Sequence, residues 1–210
     1  KRGCAAHRRS IFGYIGVSKP GLNPAIRNCI DDPAMTSVSE HCIEDLIRLF
    51  DDEFRDSERT ILVKGGDEPL YLPADEQSPY HRVIFAHGFY ASALHEIAHW
   101  CIAGPKRRQL VDYGYWYRPD GRSAEEQVEF EKVEAKPQAL EWAFCLAAGF
   151  GFNVSVDNLS GAPVDRAAFR RKVYGELLAY RRRGFPPRAQ RFIDRLQEFY
   201  QIRLEIPASA

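Results

Sequence analysis

Long apolar runs are missing from this chain. None approaches the roughly 20 residues that a membrane helix needs, although 45% of the sequence is hydrophobic. No membrane association is expected. Methionine is nearly missing too: Met35 is the only one in 210 residues, and the first residue is lysine. The five cysteines (Cys4, Cys29, Cys42, Cys101, Cys145) are odd in number and form no C-x-x-C pair. That speaks against a disulfide framework or a cysteine zinc site, and fits reduced thiols in a cytoplasm. The basic start from Lys1 to Arg9 lacks the apolar centre of a signal peptide, so export is not expected. Repeats, low-complexity tracts and RNA-binding signatures are also missing, and no direct nucleic-acid partner is expected.

An excess of charge of either sign is missing as well, with 29 basic and 29 acidic residues, but the distribution is uneven. Residues 1 to 34 carry six basic and two acidic residues, 35 to 165 carry 12 and 23, and 166 to 210 carry 11 and four. An acidic body with a basic C-terminal part implies either two electrostatic faces or a solvated pair of terminal helices.

The length suits one domain with appendages. Residues 1 to 34 show no clean period and are broken at Lys19-Pro20-Gly21-Leu22-Asn23-Pro24, whereas ordered signals start at Ser37. The expectation is an N-terminal extension over 1–34, disordered or not native to the fold, and a functional domain over 35–210. A short lid or adaptor arm is the rival reading of the extension.

Ser37-Val38-Ser39-Glu40 is a capping-box pattern, and Ile43, Leu46, Ile47, Phe50 and Phe54 recur at helical spacing, which predicts a helix over 39–55. Strands are expected at 60–63, 70–72 and 82–86, with a turn at Gly65-Gly66-Asp67-Glu68-Pro69. A helix over 90–102 should stop at Gly104-Pro105. Ser123-Ala124-Glu125-Glu126 opens a long helix to about 148, which Pro137 should kink. Two more helices follow, capped by Asp165 and started by Pro186-Pro187. The class is α+β: a helix-rich single domain with a small sheet and a zincin-like metal helix.

That helix carries His95-Glu96-Ile97-Ala98-His99. Histidines four apart stand one above the other on a helix, close enough to share one divalent ion. Their helix is otherwise apolar, and buried imidazoles need partners. Cys101, two residues on, points off that face and reads as a packed thiol. A carboxylate from another helix should complete the site, and Glu134 is the best candidate, with Glu131 on the adjacent turn as a weaker one. Glu134-Ala135 resembles the step that supplies the third ligand in thermolysin-like zinc proteases, where an acid follows four residues later. Gln138 stands there in this chain, so Gln138 is expected to orient the ligands, with Glu141 as the spare. Such a donor set admits zinc hydrolysis with Glu96 as general base, or oxygen chemistry at Fe(II). Spacing alone does not choose between them.

Longer strings do. They are Gly66-Asp67-Glu68-Pro69-Leu70-Tyr71-Leu72-Pro73, the run from Phe85 to Trp100, Asp112-Tyr113-Gly114-Tyr115-Trp116-Tyr117, Pro119-Asp120-Gly121-Arg122, Pro137-Gln138-Ala139-Leu140-Glu141-Trp142 and Asp157-Asn158-Leu159. Between about Thr60 and Gly161 the chain resembles the bacterial elongation factor P hydroxylase family. The resemblance implies hydroxylation of the β-lysylated lysine of elongation factor P, at a metal held by two histidines and one carboxylate. His95 and His99 carry over directly, and Glu134 by placement of the motif. The cofactor that the resemblance implies is a divalent metal, Fe(II), with molecular oxygen as co-substrate. A long, doubly cationic side chain calls for an acidic and aromatic channel. Asp112, Asp120, Tyr113, Tyr115, Trp116 and Tyr117 are the candidates for it, through charge or cation–π contact, with core packing the alternative for some of the rings. Arg107, Arg108, Arg170, Arg171 and Lys172 can dock an acidic protein partner. The competing readings are a zinc metallopeptidase and a binding module with a structural metal, the latter needing a fourth ligand such as His81 or His87.

Overall fold

The computed structural model describes residues 41–112, 120–156, 158 and 160–210. The chain divides into two units, Lys1–Thr36 and Ser37–Ala210. The first lies outside the described residues, and so does the expected capping box at 37–40.

Helix α1 (Ile43–Phe54) buries Leu46, Leu49, Phe50 and Phe54 on one face. It starts later than the expected 39, because Cys42 is extended and serves as N-cap without a side-chain bond. Glu44 and Asp45 in its first turn complement the helix dipole instead. Three strands follow: β1 (Thr60–Lys64), β2 (Leu70–Leu72) and β3 (His81–Phe85). They form one sheet in the order β1-β3-β2, with β1 parallel and β2 antiparallel to β3. Val83 sits opposite both Leu62 and Tyr71. Asp51 of α1 accepts the Leu62 amide at 2.9 Å, tying the helix to the sheet.

Between β3 and helix α2 (Tyr90–Ile102), His87 and Gly88 both take left-handed backbone angles. Gly88 has φ 71°, the left-handed region that favours glycine, and a Cβ there would also displace the end of the Lys64 side chain. Helix α2 buries Ala93, Leu94, Ile97 and Ala98 completely, and Ala103 ends it in extended conformation before Gly104-Pro105, as expected. Arg188, from a later helix, finishes it. Its Nη2 donates to the carbonyls of Trp100 (2.9 Å), Cys101 (3.1 Å) and Ala103 (2.6 Å), at the end where helix carbonyls run out of i+4 amides; Trp100 also accepts the Ala103 amide at 3.2 Å.

Helix α3 (Ala124–Ala148) opens on a complete capping box between Ser123 and Glu126 and closes on left-handed Gly149. Pro137, expected to kink it, lies within one unbroken helical run. Helix α4 (Arg166–Arg183) is capped by Asp165, which accepts the Ala168 amide at 2.9 Å. Helix α5 (Pro187–Tyr200) has proline in its first turn. Phe50 and Phe54 meet Trp100 edge to face at 5.2 and 4.8 Å, and Phe192 joins Phe50 and Phe144. The core thus unites α1, α2, α3 and α5, and truncating any one of these rings to alanine should cost about 3–5 kcal/mol. Among the described residues, five α-helices and a three-stranded sheet are compatible with the α+β class that the periodicity implies. Among the described residues no helix is long and apolar enough to cross a membrane.

Candidate metal centre

Helices α2 and α3 face each other across the site. His95 and His99 project from α2, and Glu134 comes from the middle of α3 with 1% of its side chain exposed. The two Nε2 atoms are 3.1 Å apart. Glu134 places Oε2 at 3.6 Å from His95 Nε2 and Oε1 at 3.3 Å from His99 Nε2. All three ligand atoms lie within 4.8 Å of one another, the one such group of three among the described residues. Donors about 2.0–2.2 Å from a common ion stand roughly 3.0–3.5 Å apart. The spacing therefore suits a single ion, and a carboxylate buried this deeply needs positive charge beside it. Glu131 turns elsewhere, toward Lys172 at 3.7 Å.

Glu141 and Gln138 both reach the triad, each at a different member. Glu141 Oε2 is 2.8 Å from His95 Nδ1. As acceptor there it holds the ring proton on Nδ1 and leaves the Nε2 lone pair facing the centre. Gln138 serves the carboxylate instead, its Nε2 donating to Glu134 Oε2 at 3.4 Å. Both ends of that amide are fixed by Ser155: Nε2 donates to its carbonyl at 2.8 Å, and Oε1 accepts its amide at 3.1 Å. The sequence pattern missed that strap and the residue that secures it. Arg122, 1% exposed, donates to Gln127 Oε1 at 2.9 Å and to the Val156 carbonyl, with its guanidinium over the Phe130 ring. Its presence in a long family string was the one available signal.

Glu96 is half-buried on the same helix. Removal from water pushes its carboxyl pKa up, His95 and His99 oppose that, and Glu134 and Glu141 add to it. Glu96 and His99 line a cavity of about 40 Å³ together with Tyr71, Trp100, Arg108 and Asp112. Roughly three water-sized groups fit, at about 10–15 Å³ each. Asp112 pairs there with Arg107 and is bridged to the Tyr71 backbone. Asp120 is engaged outside the cavity lining, accepting from the Ser160 amide and hydroxyl at 3.0 and 2.8 Å. Tyr113, Tyr115, Trp116 and Tyr117 lie outside the described residues. His81 Nδ1 accepts the Ala74 amide at 2.9 Å, and His87 is near Asp67 at 3.8 Å, so neither belongs to the triad. Cys101 is a buried free thiol whose pKa burial raises, off the metal-capable group as its position predicts.

A compact α+β domain with two imidazoles and a buried carboxylate around one point defines a class able to hold a metal. The sequence comparison is more specific: residues 49–209 match the family model for elongation factor P hydroxylase, and the chain belongs to that family. It is also 53% identical over 167 residues to the elongation factor P lysine hydroxylase of Haemophilus influenzae, covering 80% of this chain and 94% of that one. Neither match names a peptidase.

Proposed function

We propose that this chain is a metal-dependent, oxygen-using hydroxylase that acts in the cytoplasm on the β-lysylated lysine of elongation factor P, with Fe(II) held by His95, His99 and Glu134. The observation that carries the reading is the convergence of those three side chains inside the segment shared with the hydroxylase family. A two-histidine, one-carboxylate site leaves positions open, and when loaded with Fe(II) it supplies oxygen activation. The overall change inserts one atom of dioxygen into a C–H bond and releases the other as water, with two electrons from a reducing co-substrate.

The protein's part is to place and to shield. Glu141 fixes the His95 tautomer and Gln138 holds the Glu134 carboxylate, so the donors are set before substrate arrives. Glu96, beside the open face, handles protons or pairs with the incoming ammonium group. Asp112 supplies negative charge at the cavity. Tyr113, Tyr115, Trp116 and Tyr117 are assigned to the channel on sequence grounds, and Asp120 to the end of that loop.

The test is anaerobic loading with Fe(II), followed by air, a reductant and β-lysylated elongation factor P, read by intact mass. A gain of one oxygen atom that is lost in His99→Ala is expected. No gain by the factor, with metal bound to the protein, overturns the reading.

A further inference from the structure

Residues 152–156 have no regular secondary structure, yet both α3 and α4 hold them. Guanidinium groups face three of their carbonyls, at alternate positions. Arg170 Nη1 approaches the Phe152 carbonyl at 3.5 Å, Arg166 Nη2 donates to that of Val154 at 2.6 Å, and Arg122 Nη2 donates to that of Val156. Burial alternates too, with Val154 and Val156 buried and Ser155 half-buried between them, as in extended chain. Arg166 and Arg170 stand four residues apart on α4, about 6 Å along its axis. The carbonyls they meet are two residues apart, about 6.6 Å in extended chain. The helix therefore sets the register of the strap.

The opposite edge of the strap meets α3. The Ser155 amide and carbonyl pair with Gln138, and the Phe152 ring stacks on Trp142, one turn further along, at 4.7 Å. A backbone N–H can only donate and a carbonyl can only accept, so Ser155 admits the Gln138 amide in one orientation. Gln138 Nε2 is thereby turned to the Glu134 carboxylate, and the reversed amide would set oxygen against oxygen.

Arg166 occupies a position that a helix does not favour for a cation. It is the first residue of α4, at the positive end of the dipole, and alanine is the better helix former. Local helix preference thus does not account for an arginine there, whereas its bond to Val154 does.

We propose that Arg166 is a positioning residue for the metal ligand Glu134. By holding Val154 it fixes Ser155, Ser155 fixes the Gln138 amide, and that amide aims the carboxylate at the point it shares with His95 and His99. The inference rests on the metal-centre reading above.

The test is calorimetric titration of the full chain with Co(II), for wild type, Arg166→Ala, Gln138→Leu and the double variant. Arg166 is exposed, and alanine suits its position, so the single variant should fold. Its Co(II) affinity should fall about tenfold, the low end for residues that orient metal ligands. With Gln138→Leu already in place the relay is cut, and Arg166→Ala should then cost nothing further. That readout sets a positioning role apart from a general loss of stability, which would weaken both backgrounds alike. An unchanged affinity in Arg166→Ala, or a tenfold loss that persists beside Gln138→Leu, overturns the positioning role and leaves the metal centre standing. If the wild type binds no Co(II), the metal-centre reading itself fails and the inference with it.

Discussion

Glu141 and Glu134 approach the same imidazole from opposite sides: Glu141 at 2.8 Å from His95 Nδ1, Glu134 at 3.6 Å from Nε2. Seven residues apart on α3, the two carboxylates fix the ring between them. Removing the outer one should leave the donors present but poorly aimed. Glu141→Ala is expected to weaken Zn(II) or Co(II) binding about 10- to 100-fold, measured by calorimetric titration. An affinity equal to wild type would show that Glu141 has no part in holding the metal.

Gln138 and Arg122 act on adjacent residues of one strap, Ser155 and Val156. Their substitutions should therefore couple. Gln138→Leu removes both side-chain bonds to Ser155, at about 0.5–1.5 kcal/mol for each. Arg122→Lys removes the fork that spans Gln127 and Val156. In a double-mutant cycle on chemical denaturation, the pair should deviate from additivity by about 0.5–3 kcal/mol. Strict additivity would mean that the strap transmits nothing.

Glu96 separates hydroxylase from peptidase chemistry. A hydrolytic centre needs it as the base for metal-bound water, so Glu96→Gln would remove nearly all turnover there. In the hydroxylase the expected loss is smaller, because Glu96 handles protons or substrate charge and does not make the attacking group. His99→Ala, which empties a ligand position, should abolish activity and is the control. Oxygen gain by the elongation factor and cleavage of a peptide library are followed side by side. Cleavage that depends on Glu96, without oxygen gain, would sink the hydroxylase.

Asp51 gives a pH dependence remote from the centre. Burial raises its carboxyl pKa above the ordinary 3.8, outweighing the Leu62 amide and the Arg55 guanidinium that favour the charged form. Since the folded-state value is the higher, stability from this group is full below the unfolded value and is lost as pH rises through the folded one. Asp51→Asn keeps an acceptor for the Leu62 amide and carries no charge. It should be more stable than wild type at neutral pH, and the difference should close as acid protonates the wild type. Urea unfolding at pH 7 and at pH 3 to 4 measures this, and a gap that widens toward acid would contradict it.

That His95 and His99 share one helix face was legible in the sequence because one local rule, their four-residue spacing, places them there. Glu134 was legible once an apolar stripe on α3 was paired with that helix. The division of labour between Gln138 and Glu141 was not, since both lie on the inner face and only the crossing of α2 and α3 decides which reaches an imidazole. The strap at Ser155 and Val156 was hidden for another reason: it has no period, and its bonds run from backbone to side chains far away in sequence. Helix α1 was expected too early because the residues before Ile43 carry a capping pattern that Cys42, in extended conformation, does not continue.

The three carbonyls that Arg188 holds have a bearing on biogenesis. The histidines leave the ribosome well before their helix can be finished, since its cap lies 88 residues beyond Trp100. A nascent chain that stops short of α5 carries α2 without the three Arg188 bonds to its last carbonyls and with Trp100 lacking the guanidinium that covers it. Donor atoms would be present in such a chain, but the helix that spaces them would fray at the end nearer His99. If His95, His99 and Glu134 hold a metal, firm capture is expected only after α5 has been made.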